Sequence, residues 1–134
     1  MYHSIFEGIK YADDVETSVR TAIAEGLIAE SERADYESVI SGLVSKRADW
    51  FSPKWKVLTE QWLMLANGEK KRPDRIMESD TEMVVIDYKF TRTHNPAYNQ
   101  QVRTYVEALR QLTDKHVSGY LWYVWPNEAV EVVK

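Results

Sequence analysis

The apolar run Met83-Val84-Val85-Ile86 stops directly on Asp87-Tyr88-Lys89. Four consecutive apolar residues after the polar turn Glu78-Ser79-Asp80-Thr81-Glu82 predict a buried strand. Such a strand should not end on Asp and Lys without a reason, because unpaired buried charge costs several kcal/mol or is neutralised by a pKa shift. Asp87 and Lys89 are two apart on that strand and share one face, while Tyr88 points to the other. Pro73-Asp74 lies on the preceding strand, thirteen positions before Asp87. Two antiparallel strands joined by the polar turn would therefore carry Asp74, Asp87 and Lys89 to one sheet edge. Two acids and a lysine there suggest a divalent cation and a phosphate.

The rest of the chain supplies the layers such a strand needs. Residues 2–10 predict a short helix with Ile5, Phe6 and Ile9 on one side. A second helix carries Val15, Val19, Ala22 and Ile23, with Asp13 or Asp14 as cap and Gly26 as stop. A third opens near Ser31, presents Tyr36, Val39, Ile40, Leu43 and Val44, and fades near Trp50-Phe51. Residues 55–65 then alternate with period two, and both sets contain apolar groups, so one long strand covered on both faces is expected. Asn67-Gly68 is a strong hairpin signal, and the return strand begins near Lys71 and carries Asp74 and Ile76. A helix over about 97–112 and two closing strands, Val117–Trp125 and Ala129–Val133, complete an α/β fold.

The chain has 134 residues, enough for one domain with a real core. We expect a single domain, 1–134, with a helical part at 1–50 and a core at 54–134. With no cysteine, disulfides, Cys-ligated zinc and iron–sulfur clusters are excluded. No apolar run approaches the roughly 20 residues of a membrane helix, and the start lacks the build of a signal peptide, so a cytoplasmic protein without a membrane partner is expected. The net charge of −4 argues against indiscriminate polyanion binding over the whole surface. It leaves room for a local site. Lys70, Lys71, Arg72 and Arg75 surround Asp74, and Lys89, Arg92 and Arg103 flank the second acid. Taken alone, the 70–72 run reads as a solvated turn.

Phosphodiester hydrolysis requires a nucleophilic water, charge neutralisation at phosphorus and a stabilised leaving oxygen. Mg²⁺ held by carboxylates supplies much of this, and a nearby lysine can offset phosphate charge or help orient and deprotonate water. Asp74, Asp87 and Lys89 are the minimum set, and the Tyr88 carbonyl lies where it could be a further ligand. Gln101 and Tyr105, four apart on the predicted helix, share a face and offer an amide, a hydroxyl and a ring.

Pro73-Asp74 followed by Asp87-Tyr88-Lys89 resembles the PD-(D/E)XK nuclease superfamily. The finer pattern is similar to its RecB/AddA-type branch, the C-terminal nuclease domain of UvrD-type helicase-nucleases. His3 resembles that branch's first-helix histidine, Glu60 the acid on the strand before the hairpin, and Gln101-Val102-Arg103-Thr104-Tyr105 its Q-x-x-x-Y helix motif. Gly119-Tyr120-Leu121-Trp122-Tyr123-Val124 resembles its closing strand. The resemblance implies a restriction-endonuclease-like core, a mixed central sheet of about five strands flanked by helices, behind a helical N-terminal half. It implies Mg²⁺, with Mn²⁺ as a substitute, held by His3, Asp74, Asp87 and the Tyr88 carbonyl, with Lys89 acting on the water. Glu60, Gln101, Tyr105, Arg72 and Arg103 would serve behind the ligands or on DNA. Glu60 could instead pair with Lys71 or Arg72 across the hairpin.

The function implied is a Mg²⁺-dependent exonuclease on single-stranded DNA in recombination and double-strand-break repair. An upstream helicase domain in the same polypeptide is expected, with a second helicase-nuclease subunit as a further partner, and the isolated domain is expected to be monomeric. Two alternatives stay open: a standalone restriction-type or junction endonuclease, and a non-catalytic module of this fold that binds DNA or protein.

Overall fold

The computed structural model describes residues 2–134, which form two compact units, one ending at Trp55 and the other Lys56–Lys134. The first is helical. α1 spans Tyr2–Glu7, α2 Val15–Ala24 and α3 Arg33–Lys46, linked by short 3₁₀ turns. α1 is shorter than expected and gives way to Gly8. Asp14 sits at the N-cap of α2, but its carboxylate turns back to accept the main-chain N–H groups of Lys10 and Tyr11 at 3.1 and 3.0 Å. It closes the preceding turn and makes no cap bond to α2. Gly26 ends α2 as anticipated: its φ of +76 lets Leu27 N–H reach back to the Ala22 carbonyl at 2.9 Å. Phe6, Ile9, Val19 and Ile40 are fully buried in this unit.

The second unit carries a mixed five-stranded sheet. Its strands are β1 Lys56–Leu58, β4 Arg75–Glu78, β5 Glu82–Lys89, β6 His116–Tyr123 and β7 Ala129–Val133, in the order β1-β4-β5-β6-β7. β5 and β6 are parallel, joined by a crossover through α4, Pro96–Arg110, and every other pair is antiparallel. β2 Leu63–Met64 and β3 Lys70–Lys71 form a separate two-stranded ribbon around Asn67-Gly68. This mixed five-strand sheet with a helical N-terminal half is the architecture expected of a restriction-endonuclease-like fold.

Two expectations about strands are corrected. The single strand over 55–65 is broken: β1 ends at Leu58, a bend follows at Thr59-Glu60, and residues 63–64 change partner to the ribbon. Polar Thr59, Glu60 and Gln61 interrupt the apolar alternation, and the tight Asn67-Gly68 turn folds Leu63-Met64 back onto Lys70-Lys71. The return strand is likewise split between β3 and β4. Pro73 has no N–H to give a ladder, so pairing stops there and resumes at Arg75.

The core lies between α4 and the sheet. Val102, Tyr105, Val106 and Leu109 of α4 meet Ile76, Met83, Val85, Val117 and Leu121. Gly119 on β6 permits this approach, because a Cβ there would stand 2.7 Å from methyl carbons of both Val102 and Val106. α4 itself starts on a local signal: Asn95 caps it through a 2.9 Å bond from Ala97 N–H, and Pro96 fills the first turn.

Candidate active site

The site is built at the point where β4 begins and β5 ends. Arg75 pairs with Ile86, and one step further the same antiparallel register sets Asp74 opposite Asp87. Directly opposed residues of antiparallel strands point to one face. That face is the α4 face, since Val85 on β5 is in the α4 core and Asp87 and Lys89 follow it at intervals of two. Asp74 is fixed by its Oδ2, which accepts Tyr88 N–H at 2.8 Å.

The side chains form a continuous polar chain. Asp74 and Asp87 share a hydrogen bond. Lys89 Nζ is 2.8 Å from Asp87 Oδ2 and donates to Gln101 Oε1 at 3.3 Å. Gln101 Nε2 donates in turn to the Tyr105 hydroxyl at 3.0 Å. Lys89 Nζ also lies 4.4 Å from the centre of the Tyr98 ring. Tyr98 is the residue that sequence reasoning missed. It precedes Gln101 by three and Tyr105 by seven on α4, so helical spacing alone could have found it.

Burial and like charge control the protonation of this pair. Asp87 is only 5% exposed. Burial, the Asp74 charge and the hydrogen bond that protonated Asp87 donates to Asp74 push its carboxyl up to about 7, against a smaller pull downward from Lys89. Two carboxylates can hydrogen-bond only if one holds a proton, and Asp87 is suited to hold it near neutrality. The Tyr105 hydroxyl is pushed up to about 12, chiefly by burial and then by the Asp87 charge. It stays protonated, and because its oxygen accepts from Gln101 its own O–H remains a donor.

Glu60, Arg72 and Arg103 stand outside this chain of polar contacts. Glu60 is exposed in the bend after β1, so the acid expected on a strand there is off the sheet. Its alternative partners are engaged differently: Lys71 stands 3.7 Å from Glu69, and the Arg72 guanidinium lies 5.9 Å from the Trp62 ring centre. Arg103 donates from Nε to the Lys134 carbonyl at 2.9 Å and from Nη1 to Gln100 at 3.4 Å, alongside the C-terminal residue. His3 lies on α1 in the N-terminal unit, with Nδ1 3.7 Å from Glu7 Oε1. Arg75 is no part of a solvated basic cluster. It is fully buried, on the sheet face opposite Asp87, and hydrogen-bonded to Tyr88. Tyr88, packed edge-on against Trp122 at 5.8 Å, is pushed up to about 12 by burial despite that guanidinium.

A family model for the PD-(D/E)XK nuclease superfamily matches residues 3–132, and the chain belongs to that superfamily. Its members are mostly metal-dependent nucleases and generally use Mg²⁺ or Mn²⁺. A search of curated proteins finds no match. Among the described residues no helix is long and apolar enough to cross a membrane.

Proposed function

We propose that this chain is a divalent-metal-dependent deoxyribonuclease that degrades single-stranded DNA from its ends, in the service of recombination and break repair. The observation that carries the reading is the buried Asp74–Asp87 pair with Lys89 Nζ 2.8 Å from Asp87.

The donor set suits a hard cation. Two carboxylates close enough to share a proton form a like-charge pair that a divalent ion would neutralise, and both offer it oxygen. Asp74 and Asp87 would hold it, with the Tyr88 carbonyl. In a strand the N–H and C=O of one residue face the same side. Tyr88 N–H faces Asp74, so that carbonyl points to the same side. When bound, Mg²⁺ or Mn²⁺ supplies charge neutralisation at the phosphate and a lowered pKa for water.

The chain's own residues do the rest. Lys89 Nζ offsets phosphate charge and orients the attacking water. Gln101 holds that ammonium from α4, and Tyr105 holds Gln101. In the reaction the water oxygen bonds to phosphorus and one P–O ester bond breaks. One water proton ends on the leaving alkoxide and the other on the new phosphate monoester. The likeness to RecB/AddA-type domains supports the exonuclease mode, an upstream helicase in the same polypeptide and single strands as substrate.

The test is hydrolysis of end-labelled single-stranded DNA and of a covalently closed single-stranded circle, with Mg²⁺ or EDTA, by the wild type and Asp87→Asn. We expect Mg²⁺-dependent loss of the linear strand only, abolished by the substitution. Cutting of the circle would assign a restriction-type or junction endonuclease. No cleavage of either strand, with no Mg²⁺-induced rise in melting temperature, would leave a non-catalytic binding module.

A further inference from the structure

We infer that the outer face of the β2–β3 ribbon is a stacking platform for single-stranded nucleic acid, centred on Trp62 and leading the strand to Asp74. The inference rests on the nuclease reading and adds a substrate contact to it.

Trp62 stands just before β2 and is 57% exposed, as is Met64. The ribbon register pairs Leu63 with Lys71 and Met64 with Lys70. Leu63 is buried in the α4 core, so by alternation Met64 and Trp62 point away from it. Opposed residues share a face, which places Lys70 beside Met64 and Arg72 beside Trp62. The Arg72 guanidinium over the Trp62 ring agrees with that last pairing. One face of a short ribbon thus carries an indole, a thioether and two cations. Lys71, on the other face, is occupied by Glu69.

This composition fits a single strand better than a protein. A base has a π-face for the indole, whatever its identity, and its phosphate has a charge for Lys70 or Arg72. Arg72 sits over the indole itself, and a face that carries two cations beside two apolar side chains is too charged for a protein-docking core. The connection to the carboxylates is short. Arg72 and Asp74 are separated only by Pro73, a span of at most about 7 Å. A strand lying on the ribbon is therefore delivered within a nucleotide or so of Asp74. A chain with net charge −4 needs such a local grip to hold a polyanion.

The experiment reads binding and chemistry separately in the full chain. Binding is the fluorescence anisotropy of a labelled oligothymidylate, measured with the Asp87→Asn protein in EDTA so that no cleavage intervenes. Trp62→Ala added to that background should weaken binding about tenfold, and Trp62→Phe should retain most of it. Lys70→Gln and Arg72→Gln should each lower the salt dependence by about one ion. Chemistry is hydrolysis of bis(p-nitrophenyl) phosphate by the otherwise wild-type protein, a diester too small to reach the ribbon. Its rate should be the same with Trp62→Ala. Unchanged oligothymidylate binding by a folded Trp62→Ala protein overturns the platform, as does loss of self-association in place of loss of binding. Failure to hydrolyse the small diester would instead count against the nuclease reading, and the oligothymidylate binding would still decide the platform.

Discussion

Asp74 Oδ2 accepts the main-chain N–H of Tyr88 at 2.8 Å. That bond gives the Tyr88 amide an acceptor at the point where Pro73 interrupts the strand, and it locks the first carboxylate beside the second. It also explains why the two acids are forced together. The register opposes Asp74 to Asp87, and the backbone bond prevents Asp74 from swinging away.

The shared proton makes stability depend on pH. Asp87 is raised from an ordinary 3.8 to about 7, so between those values the folded protein keeps a proton that the unfolded chain has released. Stability is therefore fully present below about pH 4 and is lost progressively as pH rises through about 7. In EDTA the melting temperature of the wild type should fall across this window relative to that of Asp87→Asn. Parallel profiles for the two proteins would mean that Asp87 titrates normally.

Binding of Mg²⁺ must displace that proton. The Mg²⁺-induced rise in melting temperature should therefore grow from pH 5 to about pH 7 and then level off, and Asp74→Ala should remove it at every pH. A rise independent of pH would place the ion away from Asp87.

Lys89→Ala should reduce cleavage by about 10²- to 10⁴-fold while keeping the Mg²⁺-induced thermal shift at pH 8. Loss of the shift together with cleavage would show that Lys89 supports the carboxylate pair itself. Gln101→Ala should act in the same direction more weakly, because Lys89 keeps Asp87 and the Tyr98 ring as neighbours.

Gly119→Ala tests the frame. The new methyl would press on Val102 and Val106, and overpacking of this kind costs about 1–3 kcal/mol. Urea unfolding should show that loss. Activity should fall too, because Gln101 sits next to Val102 on the displaced helix. An unchanged midpoint would mean that α4 yields at no cost.

Local signals were legible in the chain itself. Asn95-Pro96 begins α4, Gly26 ends α2, Asn67-Gly68 turns the ribbon, and the Val84–Ile86 stretch runs buried into Asp87 and Lys89. Each depends on neighbours a few residues away, and so did the spacing that put Gln101 and Tyr105 on one helix face.

Partner choice was not legible in the same way. Residues 55–65 alternate like one strand, yet β1 pairs with β4 and β2 with β3, because ladder bonds go to whichever strand the turns bring alongside. Hence Glu60 and Trp62 are exposed, and Arg75 is buried against Tyr88 rather than solvated. The sequence by itself determined which residue types meet: two carboxylates, a lysine and an amide, set by strand and helix periods. Tertiary structure alone decided that Asp87 holds a proton near neutrality. A pKa reports desolvation and neighbouring charge, and both exist only once β4, β5 and α4 have closed around the carboxyl.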